Sequence, residues 1–407
     1  MVPHHDTVTD LDQELSGRLG QIREAGLWRE LRRVDSPQGP RIRIAGQELL
    51  NFSSNDYLGL AHHPALRDAA AKAAQDFGAG SGASRLVCGS LAPHHELEET
   101  LAEFKGTEAA LAFSSGYAAA LGAITAVLGK DDVIVVDKLV HACCVDAARL
   151  SGAKLRVFGH NDLDDLERIL RWADGRGAEG RRGRTLVVTE SVFSMDGDLA
   201  PLKDIVDLKE RHGAWLMLDE AHATGLFGEH RRGVAEAFGV AGRVEIQMGT
   251  LGKAFGAAGG YIAGSRVLAD HLVNRARSFI FSTAPVPAAA AAARAGIEVV
   301  AGSEGAQRCH RLWTLVDFFK KGLVNSGWPP GLVQSAIIPL MVGDETAAVA
   351  LADTLRASGV FIPAIRYPTV ARGSARLRVT LSAGHTAEEV TGAVAALVAN
   401  RPSAPVA

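Results

Sequence analysis

Short apolar runs alternate with amphipathic stretches through the middle of the chain. The runs are Ala109–Phe113, Val133–Val136, Lys154–Phe158, Thr185–Thr189, Trp215–Leu218 and Glu245–Met248. Runs of this kind, bounded by turn residues, suit strands buried on both faces of a parallel sheet. Helical periodicity fills the gaps at Tyr117–Leu128, His141–Leu150, Leu163–Trp172 and Lys203–Arg211. The alternation predicts an α/β fold with a mostly parallel, doubly wound sheet.

The flanks have a different pattern. Leu11, Leu15, Leu19, Ile22, Leu27 and Leu31 recur at helical spacing and predict a helix within residues 11–34. Arg41–Leu50, centred on Ala45-Gly46, predicts a hairpin. Beyond Pro285–Pro287 come an Ala-rich helix, a strand at Ile337–Val342 and a helix at Thr346–Ser358. Strands at Phe361–Ile365 and Arg376–Thr380 and a last helix at Glu388–Asn400 follow. The expected organisation is an N-terminal helix and hairpin segment (1–55), a large domain (56–287) and a smaller C-terminal α+β domain (288–407). No internal repeat or low-complexity linker interrupts it.

Composition narrows the function classes. The chain of 407 residues suits a large domain with a smaller one. Forty-three basic and 46 acidic residues give a net charge of -3. No Lys/Arg run is long enough to follow a phosphate backbone, so nucleic acid is not an expected partner. Arg181-Arg182-Gly183-Arg184 is expected to be a solvated turn. The opening MVPHHDTVTDLDQE lacks the basic and apolar regions of a secretion signal. Ala284–Val300 is interrupted by Arg294 and Glu298, so no membrane span is expected. Cys88, Cys143, Cys144 and Cys309 include no C-x-x-C pair, and the adjacent Cys143 and Cys144 cannot easily form an ordinary disulfide. The expectation is reduced thiols in a cytoplasm.

Candidate chemistry sits at strand ends, where ligands of open α/β sheets bind. Trp-Leu-Met-Leu-Asp219-Glu-Ala-His222 ends a strand on a carboxylate that needs a cationic partner or a helix to cap. Thirty-four residues on, Gly249-Thr-Leu-Gly-Lys253-Ala-Phe-Gly256 places an amine on a glycine-flanked turn. The spacing is not that of a Walker P-loop. A pyridoxal cofactor needs both groups: an amine to form the Schiff base and a carboxylate to keep the ring nitrogen protonated. Phe113-Ser-Ser-Gly-Tyr117 joins a strand to a helix whose first N–H groups suit a phosphate, or a plain serine cap. Thr250 can add a hydroxyl. His141 follows a strand and could stack on a ring or serve as a structural hydrogen-bonder, as could His160, His212, His94 and His95. The paired histidines 4–5, 62–63 and 94–95 lack metal-ligand spacing, so no metal is expected.

Six motifs then occur in one order: Asn55-Asp-Tyr-Leu-Gly59, Gly80-Ser-Gly-Ala-Ser-Arg85, Thr189 to Asp198 (TESVFSMDGD), Leu218 to Gly225 (LDEAHATG), Gly249 to Lys253 and Phe281-Ser-Thr283. Together they resemble the α-oxoamine synthases, enzymes with the fold-type-I pyridoxal-phosphate architecture, from about residue 20 to 400. The resemblance implies pyridoxal 5'-phosphate held by Lys253, with Asp219 at the ring nitrogen. It places His222 and Ser194 at the ring hydroxyl, His141 on the ring face, and Gly116, Tyr117 and Thr250 at the phosphate. It gives Ser282 and Thr283 to a partner subunit's phosphate, hence a homodimer with shared sites. Arg378 would bind the amino-acid carboxylate, with Asn55 and Ser84 near the substrate. Arg29, Arg32 or Arg33 would meet the far end of the acyl substrate.

The activity implied is decarboxylative condensation of L-alanine with a pimeloyl thioester of coenzyme A or an acyl carrier protein. Condensations using glycine or serine are the alternatives within the family, and a non-catalytic subunit of the same fold is the alternative outside it. Tyr367 and Ala371 stand where two prolines are usual, a pattern nearer to glycine-using members. Ser84 stands where some glycine-using members have threonine, and the change leaves room for a methyl side chain.

Overall fold

The computed structural model describes residues 9–174, 183–328 and 330–401. Seven strands form the central sheet, in the spatial order Ala109–Phe113, Gly260–Gly264, Ile246–Thr250, Trp215–Asp219, Thr185–Glu190, Val133–Asp137 and Lys154–Phe158. Only Gly260–Gly264 runs against its neighbours. The remaining pairings are parallel.

Alternate residues of these strands feed two separate cores, as the two-residue period of a strand requires. Val187, Leu216 and Leu218 face one apolar layer. Leu186, Val188 and Met217 face the other. The first layer continues into the C-terminal region through Ile338, Leu340, Leu377 and Leu397. That region carries the antiparallel pair Ile337–Gly343 and Ala375–Thr380, flanked by the helices Glu345–Ala357 and Ala387–Ala399.

Several expectations need correction. The N-terminal helix is Asp10–Glu24, not a helix reaching residue 34. Gly26 at φ 66° turns the chain into left-handed backbone, and Leu27 and Leu31 lie beyond it. The strand expected at Phe361–Ile365 is two strands in two sheets. Val360–Phe361 pairs with the hairpin strand Gln47–Asn51, and Ala364–Ile365 pairs with Ala375–Thr380. Pro363 lies between them and has no N–H to continue a ladder. The strand Gly260–Gly264 and the 23-residue helix Ser303–Asn325 were not anticipated. Arg181 and Arg182 of the basic turn, and His4 and His5, lie outside the described residues. Arg184 is inside them and pairs with Asp132 at 2.9 Å. Among the described residues no helix is long and apolar enough to cross a membrane.

Candidate active site

Strand register brings the chemistry together. Glu190 and Asp219 are direct partners on adjacent parallel strands, and Asp219 is in turn opposite Met248. Two carboxylates therefore lie side by side at the carboxyl edge of the sheet, both buried. Two residues past Met248 the strand ends at Thr250, and the turn that follows carries Lys253. That turn is closed by Ala257 N–H to Leu251 O and Gly256 N–H to Lys253 O, both 2.9 Å. Gly256 has φ 67°, and a Cβ there would lie 2.5 Å from the Leu60 carbonyl carbon. Only glycine lets the lysine turn press against residues 60–61.

Lys253 is half-buried, with its amine enclosed. Desolvation, opposed by Asp219 and then Glu190, lowers its pKa to about 8. Nζ lies 2.8 Å from His222 Nε2, and His222 Nδ1 lies 2.5 Å from the Tyr57 hydroxyl. Burial, with Lys253 next, holds His222 well below the usual imidazole range. Burial pushes the Tyr57 phenol up to about 12. A neutral imidazole can pass a single donor direction along this row, from Tyr57 to Lys253 or the reverse.

Asp219 accepts from Ala221 N–H at 2.9 Å, and its pKa is raised by burial against the pull of Lys253. Arg378 stands on the fully buried strand Ala375–Thr380. Its Nε donates to Ser194 O at 2.6 Å, and its Nη1 to Asn55 Oδ1 at 3.1 Å and Thr380 Oγ1 at 3.0 Å. These bonds aim a guanidinium from the C-terminal region at the segment that carries Asn55 and Tyr57. Asn55 and Gly252 line a common cavity of about 450 Å³.

At the other end lies the helix Gly116–Val127, capped by Ser115, which accepts from Ala118 N–H at 3.1 Å. Its first intrahelical bond is Ala119 N–H to Ser115 O, so the N–H groups of Gly116 and Tyr117 precede the ladder. A Cβ on Gly116 would lie 3.8 Å from Thr250 Cβ, which puts that side chain beside the helix start, with its hydroxyl donating to Gly259 O at 2.9 Å.

Residues 47–397 match the family described as Aminotransferase class I and II. The chain belongs to that family. Within it the chain is an α-oxoamine synthase, as its motif order implied. It is 48% identical to the 8-amino-7-oxononanoate synthase of Geobacter sulfurreducens, over 95% of this chain and 97% of that one. It is 49% identical to the same-named protein of Anaeromyxobacter sp. (strain K), over 97% and 96%. Its fold matches a serine palmitoyltransferase from S. paucimobilis, with PLP and myriocin bound, at TM-score 0.88 and 29% identity over 97% and 98% of the two chains. The fold-type-I class expected from the sequence follows.

Other expected site residues of this α-oxoamine synthase sit as follows. His141 caps the helix Ala142–Ser151, its Nδ1 accepting from Cys143 N–H at 3.2 Å with Cys143 Sγ at 3.0 Å. The Tyr117 hydroxyl is committed to Asp146 at 2.8 Å, so only the backbone N–H of Tyr117 is turned to the helix start. Ser194 is buried, with its N–H on Glu190 Oε2 at 3.2 Å. Ser84 and Thr283 form an antiparallel bridge, apart from any hydrogen bond to Lys253, Asp219 or Thr250 within the chain. His160 bonds Asp137 at 3.0 Å and Asp198 at 2.8 Å. Burial works against its charge, but the two carboxylates win and raise its pKa to about 10, so it is an ion-pair hub.

Sequence reasoning missed Tyr57, Glu190 and Cys143. Glu190 ends an apolar strand as Asp219 does, and the same signal could have found it. Its Oε1 is one of three buried side-chain oxygens without a partner among the described residues. Burial, then the neighbouring Asp219, pushes its pKa up to about 8. Its folded pKa lies above the unfolded value, so stability is full below about pH 4.5 and is lost as pH rises toward 8, at up to roughly 1.4 kcal/mol per unit. In the cofactor-free protein, Glu190→Gln should therefore match the parent in thermal unfolding at pH 5 and exceed it by several degrees at pH 8. A gap that does not grow with pH would show that Glu190 is ionised throughout.

Proposed function

We propose that this chain condenses L-alanine with a pimeloyl thioester, releasing carbon dioxide and the carrier thiol, to form 8-amino-7-oxononanoate for biotin synthesis, using pyridoxal 5'-phosphate. The observation that carries the reading is Lys253 and Asp219 brought from neighbouring strand ends to one buried site. The donor set fits the cofactor. It offers a partly neutral amine, a buried carboxylate, a carboxylate oxygen on Glu190 with nothing bonded to it, and a helix start with two N–H groups ahead of the ladder. Pyridoxal phosphate, when bound, supplies an electron sink for negative charge developing at the amino-acid Cα.

The chain's own residues do the rest. Lys253 would hold the cofactor. Its amine, with a pKa of about 8, would be suited to take the Cα proton at neutral pH. His222 keeps that amine in place at 2.8 Å and is itself held by Tyr57. Asp219 keeps the ring nitrogen protonated, and the excess of positive charge stabilises the transition state. The Gly116 and Tyr117 N–H groups, with the Thr250 hydroxyl turned from Gly259 O, would hold the phosphate, and Ser194 would join His222 at the ring hydroxyl. His141 covers the ring face. Arg378, with Asn55, grips the alanine carboxylate and so fixes which Cα bond faces the ring.

The acyl end has a separate cavity of about 560 Å³, lined by Arg29, Arg32, Arg356 and Arg366. It shares Phe361 with the cavity of Asn55 and Gly252. Its arginines suit an acyl chain that ends in a carboxylate. Arg33 does not line it and pairs with Asp35 at 2.6 Å, leaving Arg29 and Arg32 as the N-terminal candidates.

We place the boundary between the large and small domains near residue 287. The sites are shared across a homodimer, with Ser282 and Thr283 serving the partner's phosphate. Phe281 and Val87, 69% and 78% exposed beside Thr283 and Ser84, supply the apolar surface that such an interface covers. Four unpaired cysteines suit a cytoplasm.

The test is a matrix of alanine, glycine and serine against acyl thioesters of different length and end group, followed by release of free thiol and carbon dioxide. Alanine with the pimeloyl thioester should exceed every other pair by tenfold or more. Serine with a long, uncharged acyl thioester as the best pair would keep the family and remove the assigned substrate.

A further inference from the structure

The helix Ala142–Ser151 brings two adjacent thiols under the cofactor site. Cys143 and Cys144 are 2% and 0% exposed, and their sulfurs are 4.0 Å apart. A ligand atom from each, together with a carboxylate oxygen of Asp219, lies within 4.8 Å of the other two. No histidine spacing announces this cluster, because strand order and one helix turn create it.

We propose that the cofactor-free protein binds one thiophilic divalent cation, zinc or cadmium, through Cys143, Cys144 and Asp219, and that cation and pyridoxal phosphate exclude one another. Two thiolates and a carboxylate are a donor set that soft and borderline cations prefer over magnesium or calcium. A tetrahedral zinc with sulfurs at about 2.3 Å sets them about 3.8 Å apart. The observed 4.0 Å needs only a small closure. Binding forms two S–metal bonds, breaks whichever S–H bonds the two thiols carry, and sends those protons to water. His141 Nδ1, which accepts from Cys143 N–H, lies 3.0 Å from Cys143 Sγ and outside the ligand set.

Exclusion follows from Asp219, since one carboxylate cannot hold both the ring nitrogen and the cation. This half rests on the cofactor reading given above, whereas the binding half does not.

The experiment uses a Cys88→Ser background, so that the exposed thiol cannot contribute. Cadmium is titrated into cofactor-free and cofactor-loaded protein, and thiolate-to-metal ultraviolet absorption and proton release are recorded. The cofactor-free protein should take up one equivalent with a thiolate band and proton release. The loaded protein should take up at least tenfold less at the same free cadmium, and metal-loaded protein should capture pyridoxal phosphate at least tenfold more slowly. A Cys143→Ser, Cys144→Ser double variant should lose the absorption. No thiolate band in the cofactor-free protein, or a band that survives the double variant, overturns the site. Equal uptake with and without cofactor overturns the exclusion. The competition arm needs no change at residues 143 or 144, so a double variant that fails to fold leaves the decision to it. Asp219→Asn turnover tests the cofactor reading independently.

Discussion

Lys253→Ala should lower turnover by about 10⁴-fold or more and remove the absorbance of covalently held cofactor. Two losses combine. The general base at the alanine Cα is gone, a term typically worth about 10²–10⁴, and the amine that holds the cofactor before substrate arrives is gone with it. The measurement is thiol release with alanine and the pimeloyl thioester, beside the spectrum of the reconstituted variant. The unmodified protein supplies a companion result. A lysine lowered to about 8 is mostly protonated at pH 6, so the cofactor-free protein should capture pyridoxal phosphate about tenfold faster per pH unit up to 8 and then level off. Capture that levels only near pH 10 would mean an ordinary, solvated lysine. A variant that kept both colour and half its turnover would remove Lys253 from the mechanism.

Most of the sheet was legible because its inner strands are buried on both faces, whereas the edge strand Lys154–Phe158 is largely exposed. Val187, Leu216 and Met217 are apolar whichever way they point, so the runs stood out within a residue or two of their observed ends. Gly260–Gly264 was not legible. Its residues Gly-Tyr-Ile-Ala-Gly follow a glycine-rich turn, and its antiparallel place between Ala109–Phe113 and Ile246–Thr250 is set by pairing, not by pattern. The N-terminal helix failed in the opposite direction. Its apolar spacing continues past the point where Gly26 ends it, and Leu11, Leu15, Leu19 and Ile22 stay exposed, so no burial enforces the pattern.

The site divides in the same way. Asp219 and Lys253 were found because one ends a strand and the other sits in the turn just past one, each with a charge that such a position does not favour without a partner. Tyr57 lies 165 residues from His222 and meets it only because residues 55–61 are pinned from several directions. Asp56 accepts from Leu60 N–H at 2.7 Å and Ala61 N–H at 3.1 Å, and Ser382 Oγ holds Asp56 O at 2.7 Å. Nothing local to Tyr57 encodes that meeting. Cys143 was treated in the sequence as a thiol that avoids a disulfide, and its nearness to Asp219 depends on strand order alone.

Asp219→Asn separates two effects that act in opposite directions. Asparagine keeps the volume and can still accept from Ala221 N–H, so the turn after the strand is expected to hold. What it removes is the negative charge. On the proposed assignment the ring nitrogen would lose the partner that keeps it protonated, and the stabilisation of charge developing at the Cα would fall. By comparison with the loss of one preorganised electrostatic group, kcat should drop about 10²–10³-fold, or roughly 3–4 kcal/mol. Lys253 changes the other way. Asp219 is the largest influence holding its pKa up against burial, so the variant's amine should titrate below the parent's value of about 8. Capture of pyridoxal phosphate at pH 6 should then be faster than in the parent while turnover is far slower. A merely damaged fold would slow both. Turnover within about threefold of the parent would show that the carboxylate does not meet the ring nitrogen, and the pairing of residues 219 and 253 around one cofactor would fail with it.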